Sequence, residues 1–271
     1  MDFARCAQVS LKDKICVSET MMKSFRVLWS VAILVALSQT WATEIKVLTA
    51  GAFKPVLVAA QPGFEAKTGH RLVIVNDTAG ALQQRVLAGE SFDWVVSSPA
   101  SLKAMRSAGK LADADPVALA QVSIGVAVAP GTTIPDISSV EQFRKALMQA
   151  KKVAYIDPAA GGSSGIYLDG LFERWGIRDQ IRAKAVLVPG GLVATRLLDG
   201  SADLAIHQIS EIKAVPGVVL VGPLPADIQN HTVYSAARPA GEAKSAVNEL
   251  LEYIKSGALN AVWQEKGMDP M

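Results

Sequence analysis

The chain has 271 residues, of which 50% are hydrophobic and 6% aromatic, so it can bury a sizeable core. Its formal net charge is only +2, and basic and acidic residues balance once the first 42 residues are set aside. This charge argues against a surface for nucleic acid or anionic membranes. Cys6 and Cys16 both lie in that first segment, so the rest of the chain offers no thiol for catalysis or metal binding.

Residues 1–42 are typical of an upstream extension followed by a secretory signal peptide. A short basic stretch precedes the apolar run 27–37, and residues 40–42 place small side chains at positions −3 and −1 of a cleavage point. The run is short for an ordinary transmembrane helix; a retained anchor is the alternative. We therefore predict a natural start at Met21 or Met22, cleavage before Thr43, and a periplasmic protein.

The remaining sequence alternates predicted strands and helices, which favours an α/β fold with parallel sheets. Apolar periodicity, prolines at helix starts and glycines after helix ends support the assignments. Strands are predicted at 44–49, 71–76, 92–96, 122–129, 153–156, 185–188, 202–206 and 232–237. Helices are predicted at 53–67, 81–88, 99–108, 138–149, 165–175, 192–198, 244–255 and 259–265.

Short turns of small and polar residues follow the carboxyl ends of the predicted strands. Ligands of open parallel sheets bind at that edge, so two sheets facing each other would form a cleft. The turns lie at 49–54, 76–80, 97–99, 157–164, 189–191 and 207–210. At the first turn, Pro55 fits the first turn of a helix, and the free amides of that helix start favour an anion.

The side chains in these turns suit an anionic, multi-carboxylate ligand. Lys54 adds a charge beside a helix start, and His207 has the pKa range of a proton shuttle. Simpler interpretations remain open, because Lys54 could be solvated, His207 could be a core residue, and small hydroxyls are ordinary helix caps. Candidate contacts of neutral type are Asn76, Thr78, Ser163, Ser164, Tyr167, Gln208 and the backbone of Gly191.

The histidines show no metal-ligand spacing, and the sequence implies no metal or cofactor. The segment 162–165 lacks the glycine spacing of a serine-hydrolase nucleophile turn.

Several segments, in their order and spacing, resemble the periplasmic molybdate-binding proteins, which are type II solute-binding proteins of ABC transporters. The resemblance spans nearly all of residues 44–271 and rests on 49–54, 64–69, 78–89 with 92–93, 157–167 and 199–206. It implies two α/β lobes, with parallel or mixed sheets flanked by helices and a ligand cleft between them. We expect lobe 1 to comprise 43–124 and 234–271, lobe 2 to comprise 125–233, and the strands 122–129 and 232–237 to cross between lobes.

The departures from that family bear on the ligand. The resemblance places hydroxyl side chains where this chain has Ala52 and Ala79, and a tyrosine where it has Gln208. The cage for a tetrahedral oxyanion is therefore largely lost, which disfavours molybdate, tungstate and sulfate.

The segments 49–55 and 76–82 also resemble a catalytic branch of the family, the periplasmic aconitate isomerases. This implies a proton shift on a small tricarboxylate, with His207 and Lys54 as catalytic groups. The expected substrate contacts then also include Ala52, Phe53, Ala79 and Gly80. The alternative is a non-catalytic receptor that delivers a small organic or inorganic anion to an ABC permease. In either case we expect a monomer with no nucleic-acid partner.

Overall fold

The structure, a computed structural model, describes residues 42–242 and 244–271. The predicted signal peptide, apart from Ala42, and both cysteines lie outside the described residues. The strands are β1 (Glu44–Ala50), β2 (Arg71–Asp77), β3 (Trp94–Ser97), β4 (Val117–Val128), β5 (Val153–Ile156), β6 (Ala185–Val188), β7 (Leu204–Gln208), β8 (Val219–Pro223), β9 (His231–Ala237) and β10 (Asp269–Pro270). The helices are α1 (Lys54–Thr68), α2 (Ala79–Leu87), α3 (Pro99–Ser107), α4 (Val140–Gln149), α5 (Ser163–Arg174), α6 (Arg178–Arg182), α7 (Thr195–Leu198), α8 (Ile209–Lys213), α9 (Ser245–Lys255) and α10 (Asn260–Lys266).

Two sheets share the long strand β4. The first sheet has the order β2-β1-β3-β9-β4, and the second continues as β4-β7-β5-β6 with β8 also paired to β4. The early part of β4 pairs with β9, and residues 124–128 pair with β7 and β8. The chain therefore passes from one lobe to the other within a single strand, as we expected for 122–129.

Each sheet is covered by helices that bury an apolar stripe. In the first lobe, the C-terminal helices return to α1, where Phe53 lies 6.0 Å from Trp263 and Phe64 lies 5.7 Å from Tyr253 between ring centroids. The second lobe has its own core, in which Tyr155 packs edge-on against Phe172. Because both sheets are mixed and flanked by helices, the predicted fold class is confirmed.

Turn-forming and capping residues determine where the helices beside the cleft begin and end. A 3₁₀ turn at Gly51–Phe53 leads into α1, Pro55 occupies its first turn, and Gly69 ends it with φ 72°. The Thr78 side chain caps α2 by accepting from the amide of Ala81.

Four of the named strands and helices were not predicted, namely α6, α8, β8 and β10, and the predicted turn at 207–210 was wrong. There β7 runs to Gln208 and α8 begins at the next residue. Strand β4 also starts five residues before the prediction, and α7 keeps only the end of the predicted helix 192–198. Such short segments give too little periodicity to be recognised. The lobe boundaries at 124/125 and 233/234 stay predictions.

No helix within 42–242 and 244–271 has the length and hydrophobicity needed to cross a membrane. The same residues hold no group of three or more histidine, cysteine or acidic side chains placed to bind a metal ion.

Candidate functional site

A small cavity lies between the lobes, where the carboxyl ends of β1, β2, β5 and β7 meet. Its volume of about 30 Å³ has room for about two water molecules. The first lobe lines it with Ala50, Gly51, Ala52, Asn76, Asp77, Thr78, Ala79 and Tyr234, and the second with Ile156, Gly162, Ser163, Ser164, Gly191, His207, Gln208 and Glu211.

The structure brings most of the predicted site residues together at this cavity. Those that line it are Ala52, Asn76, Thr78, Ala79, Ser163, Ser164, Gly191, His207 and Gln208. The predicted catalytic Lys54 is exposed and does not line it. The predicted contacts Phe53 and Tyr167 also lie elsewhere, since Phe53 is in the core and the Tyr167 hydroxyl donates to the carbonyl of Ile228 at 2.6 Å. Gly80 belongs to the rim of the cavity rather than its lining.

Direct contacts hold the two lobes together around the cavity. The amide of Gly80 donates to the carbonyl of Gly161 at 3.0 Å, and the neighbouring Thr78 hydroxyl donates to the carbonyl of Ala160. On the other side, the Ser210 hydroxyl donates to the carbonyl of Ala52 at 2.8 Å. The molecule is therefore closed over the cavity.

A neutral hydrogen-bond network forms one wall. The Gln208 amide nitrogen donates to the hydroxyls of Ser163, at 3.1 Å, and Thr232, at 3.0 Å. Ser163 is also 3.3 Å from the hydroxyl of Tyr234. Burial raises the pKa of Tyr234, so its hydroxyl stays protonated. The buried Gln208 carbonyl oxygen has no partner among the described residues.

The floor of the cavity holds an acid–base pair, His207 and Glu211, of which only His207 was predicted. His207 Nε2 lies 3.2 Å from Glu211 Oε2, and the two side chains are only 2% and 8% exposed. His207 Nδ1 is buried and has no partner among the described residues. The Glu211 carboxyl also lies against the first turn, because a Cβ on Gly51 would stand 2.3 Å from Oε1.

Burial favours the uncharged form of both side chains. It lowers the pKa of His207 and raises the pKa of Glu211 to about 8. Burial therefore favours a neutral imidazole beside a neutral carboxylic acid over two charged groups. Such a pair can accept a proton at one nitrogen and donate one from an oxygen, which is what a proton shift requires.

The rest of the lining was not among the predicted site residues and consists of Ala50, Gly51, Asp77, Ile156, Gly162, Glu211 and Tyr234. Glu211 stands in the segment Ser-Glu-Ile-Lys, whose charges alone favour a solvated turn. Its spacing of four residues from His207 was the available signal, but β7 ends and α8 begins between the two.

The fold and this interlobe site define a class of protein. The chain belongs to the bacterial extracellular solute-binding proteins, whose family model matches residues 45–269. An aconitate isomerase from a Pseudomonas species is 33% identical over 236 residues, which cover 84% of this chain and 88% of that protein.

Solved structures show the same fold. The periplasmic molybdate-binding protein of Azotobacter vinelandii matches with a TM-score of 0.64 and 18% identity, over 83% of this chain and 98% of that one. The sulfate-binding protein SubI of Mycobacterium tuberculosis matches with a TM-score of 0.65 and 20% identity, over 84% of this chain and 87% of that one. The predicted resemblance to periplasmic binding proteins of the two-lobed type is confirmed.

Proposed function

We propose that the protein is an isomerase of a small tricarboxylate, which interconverts trans- and cis-aconitate by a proton shift in the periplasm. The observation that carries the proposal is the buried His207–Glu211 pair on the floor of the interlobe cavity. The isomerase from Pseudomonas, at 33% identity over most of both chains, supports the same chemistry. The predicted signal peptide supports the location.

The His207 ring is the group that moves the proton. Its Nε2 faces Glu211, so Nδ1 is the nitrogen left for the substrate. In the proposed step Nδ1 takes a proton from the methylene carbon, and the electron pair of that C–H bond moves into the adjacent alkene and its carboxylate. The same nitrogen then returns the proton to the far alkene carbon. The double bond has moved by one position and no co-reactant is consumed.

Backbone amides supply the stabilisation of the charge that develops in this step. The first amides of a helix lack intrahelical partners and carry the positive end of its dipole. Two helix starts open onto the cavity, the 3₁₀ turn Gly51–Phe53 before α1 and the start of α5 at Ser163. Because Lys54 is exposed, these amides take the role that the sequence assigned to that lysine.

The second candidate is a receptor that binds a small anion and passes it to an ABC permease. The family assignment and the binding proteins among the solved structures favour it. A buried, uncharged acid–base pair adds no obvious binding energy to a receptor for a simple oxyanion, which is why we place the isomerase first.

Turnover separates the two candidates. The purified protein is incubated with trans-aconitate, and cis-aconitate is followed by chromatography. We expect the His207→Ala variant to lose at least about 100-fold in rate, the usual share of a general base. His231→Ala is the matched control, because His231 is exposed and its ring forms a hydrogen bond with the Ser123 hydroxyl.

Absence of turnover together with tight binding of an unrelated anion would establish the receptor instead. A rate unchanged in His207→Ala would move the base to another residue.

A further inference from the structure

The Glu211 carboxyl has one oxygen engaged and one free. Oε2 lies 3.2 Å from His207 Nε2, and no other hydrogen bond to this carboxyl occurs among the described residues. Oε1 lies against the backbone of Gly51, in the turn whose amides face the cavity. A ligand carboxylate held by that turn would therefore meet Oε1 directly.

An ionised Glu211 would repel such a ligand, because no cationic side chain lies between the two carboxylates. Neither lysine nor arginine is among the residues that line the cavity. The other acidic residue in the lining, Asp77, already accepts from the amide of Thr78 at 2.9 Å and pairs with Arg85 at 3.4 Å. Two facing carboxylates without a cation cost several kcal/mol unless one of them is protonated, by the usual order of magnitude for a buried, unpaired charge.

The elements around α8 bring few other ionisable groups to Glu211. Packed against it are β4, β7, β8, the 3₁₀ turn at 51–53 and α10. Of these, β7 supplies His207, and Lys266 of α10 pairs with its exposed neighbour Glu265. Within α8, Lys213 donates to the carbonyls of Gln264 and Glu265 at 3.2 and 3.1 Å. From β9, the Tyr234 hydroxyl interacts with Glu211 and remains protonated.

We propose that Glu211 binds the ligand as a neutral carboxylic acid, with Oε1–H donating to a ligand carboxylate, so that anion binding to the ionised protein takes up one proton. The inference rests on the proposed carboxylate ligand. Ligand binding by Glu211 and proton transfer by His207 require the same protonation state of the pair. When Glu211 carries its proton on Oε1, Oε2 accepts from His207 Nε2–H, and the Nδ1 lone pair remains as the base. The proton comes from solvent when the ligand binds and returns to solvent when it leaves.

Calorimetry with propane-1,2,3-tricarboxylate tests the inference, because this saturated analogue of aconitate has no double bond to move. Titrations at pH 9 in two buffers of different ionisation enthalpy count the protons taken up per ligand. At this pH the ligand's own carboxyls are ionised. We expect uptake approaching one proton, and a Kd that rises about tenfold per pH unit above about pH 8.

The Glu211→Gln variant keeps a donor and an acceptor in the same place but does not titrate. We expect it to bind without proton uptake and with a flat pH dependence, whereas Glu211→Ala weakens binding at every pH. Glu252→Gln, an exposed glutamate of α9, is the matched control and keeps the wild-type proton uptake.

Wild-type binding without proton uptake at pH 9 overturns the inference, whether or not the variants fold. Turnover of trans-aconitate in that case leaves the proposed isomerase standing. Proton uptake without turnover supports the inference and refutes the isomerase, so the two failures are distinguishable. Failure of the analogue to bind at any pH overturns the tricarboxylate site altogether.

Discussion

Closure of the two lobes depends on a backbone contact that leaves no room for a side chain. A Cβ placed on Gly80 would lie 2.6 Å from the Cα of Gly161, and this neighbour is backbone that cannot rotate away. Gly80→Ala therefore forces the lobes apart at this edge. The substitution lies in α2, outside the cavity lining, so it leaves the polar groups of the site in place.

The magnitude follows from the two hydrogen bonds that this edge makes. Separation loses Gly80 N–H to Gly161, 3.0 Å long, and the neighbouring bond from the Thr78 hydroxyl to Ala160. At about 0.5–1.5 kcal/mol each, the loss is about 1–3 kcal/mol. If the ligand-bound form keeps both bonds and the open free form lacks them, affinity falls about 5- to 150-fold. An open free protein makes neither bond, and alanine is the better helix former by up to about 1 kcal/mol, so Gly80→Ala does not destabilise that open form.

The assay combines calorimetry with propane-1,2,3-tricarboxylate, small-angle scattering with and without it, and thermal unfolding of the free protein. Gly170→Ala is the matched control, since its Cβ in α5 would meet only Arg174 Nη1 at an ordinary 3.6 Å. We expect Gly80→Ala to bind the ligand more weakly, to compact incompletely with ligand, and to keep or raise its Tm. We expect the control Gly170→Ala to bind and compact like the wild type. Wild-type affinity and full compaction in Gly80→Ala would refute the argument that this contact limits closure.

Four further outcomes are expected. His207→Ala loses at least about 100-fold in turnover of trans-aconitate while its far-UV circular dichroism keeps the wild-type form, and its Tm falls because a buried side chain is removed beside Glu211. The kcat/KM for trans-aconitate falls above about pH 8, because the acid form of Glu211 is present below its raised pKa and lost above it, and Glu211→Gln removes this fall. Gly51→Ala destabilises the protein by about 1–3 kcal/mol in urea unfolding, since its Cβ would overlap the Glu211 carboxyl. Lys184→Met costs about 1–3 kcal/mol by the same measurement, because Nζ donates to three carbonyls at the end of α4 at 2.7, 2.9 and 2.7 Å.

Each of these outcomes has a result that contradicts its reasoning. A kcat/KM that is flat from pH 7 to 10 in the wild type would show that Glu211 does not titrate in this range. Wild-type urea midpoints for Gly51→Ala would mean that the carboxyl moves aside at no cost. For Lys184→Met the matched control is Lys103→Met, an exposed lysine, and equal losses in both would remove the role of the carbonyl contacts.

The sequence predicts the fold well because prolines and glycines mark where its helices begin and end. The bounds predicted for β5 and β6 are those observed, and Pro99 and Gly69 mark a helix start and a helix end as expected. The alternation of strands and helices then leaves few arrangements for the sheets. Helix α8 was not recognised because five residues are too few for periodicity, and its N-cap, Gln208, makes no side-chain cap.

The candidate site is predictable only where the backbone determines it. Turns at strand ends meet at one edge in any parallel sheet, so most of the lining could be named in advance. The orientation of Lys54 could not, since the 3₁₀ turn before α1 places residues 51 and 52 at the cavity and leaves the lysine exposed. The importance of Glu211 comes from its burial beside His207, which is a tertiary property that charge patterning does not contain.

The size of the interlobe cavity has a kinetic consequence. With room for about two waters, the cavity is too small for a tricarboxylate unless the lobes move apart. If the protein isomerises aconitate as proposed, each cycle includes one opening and one closing of the lobes, and the opening rate sets an upper limit on kcat. A rate limited in this way falls as the viscosity of the medium rises, whereas a rate limited by proton transfer does not. The movement of the two lobes through solvent, rather than proton transfer, would then set the rate of the proposed isomerisation.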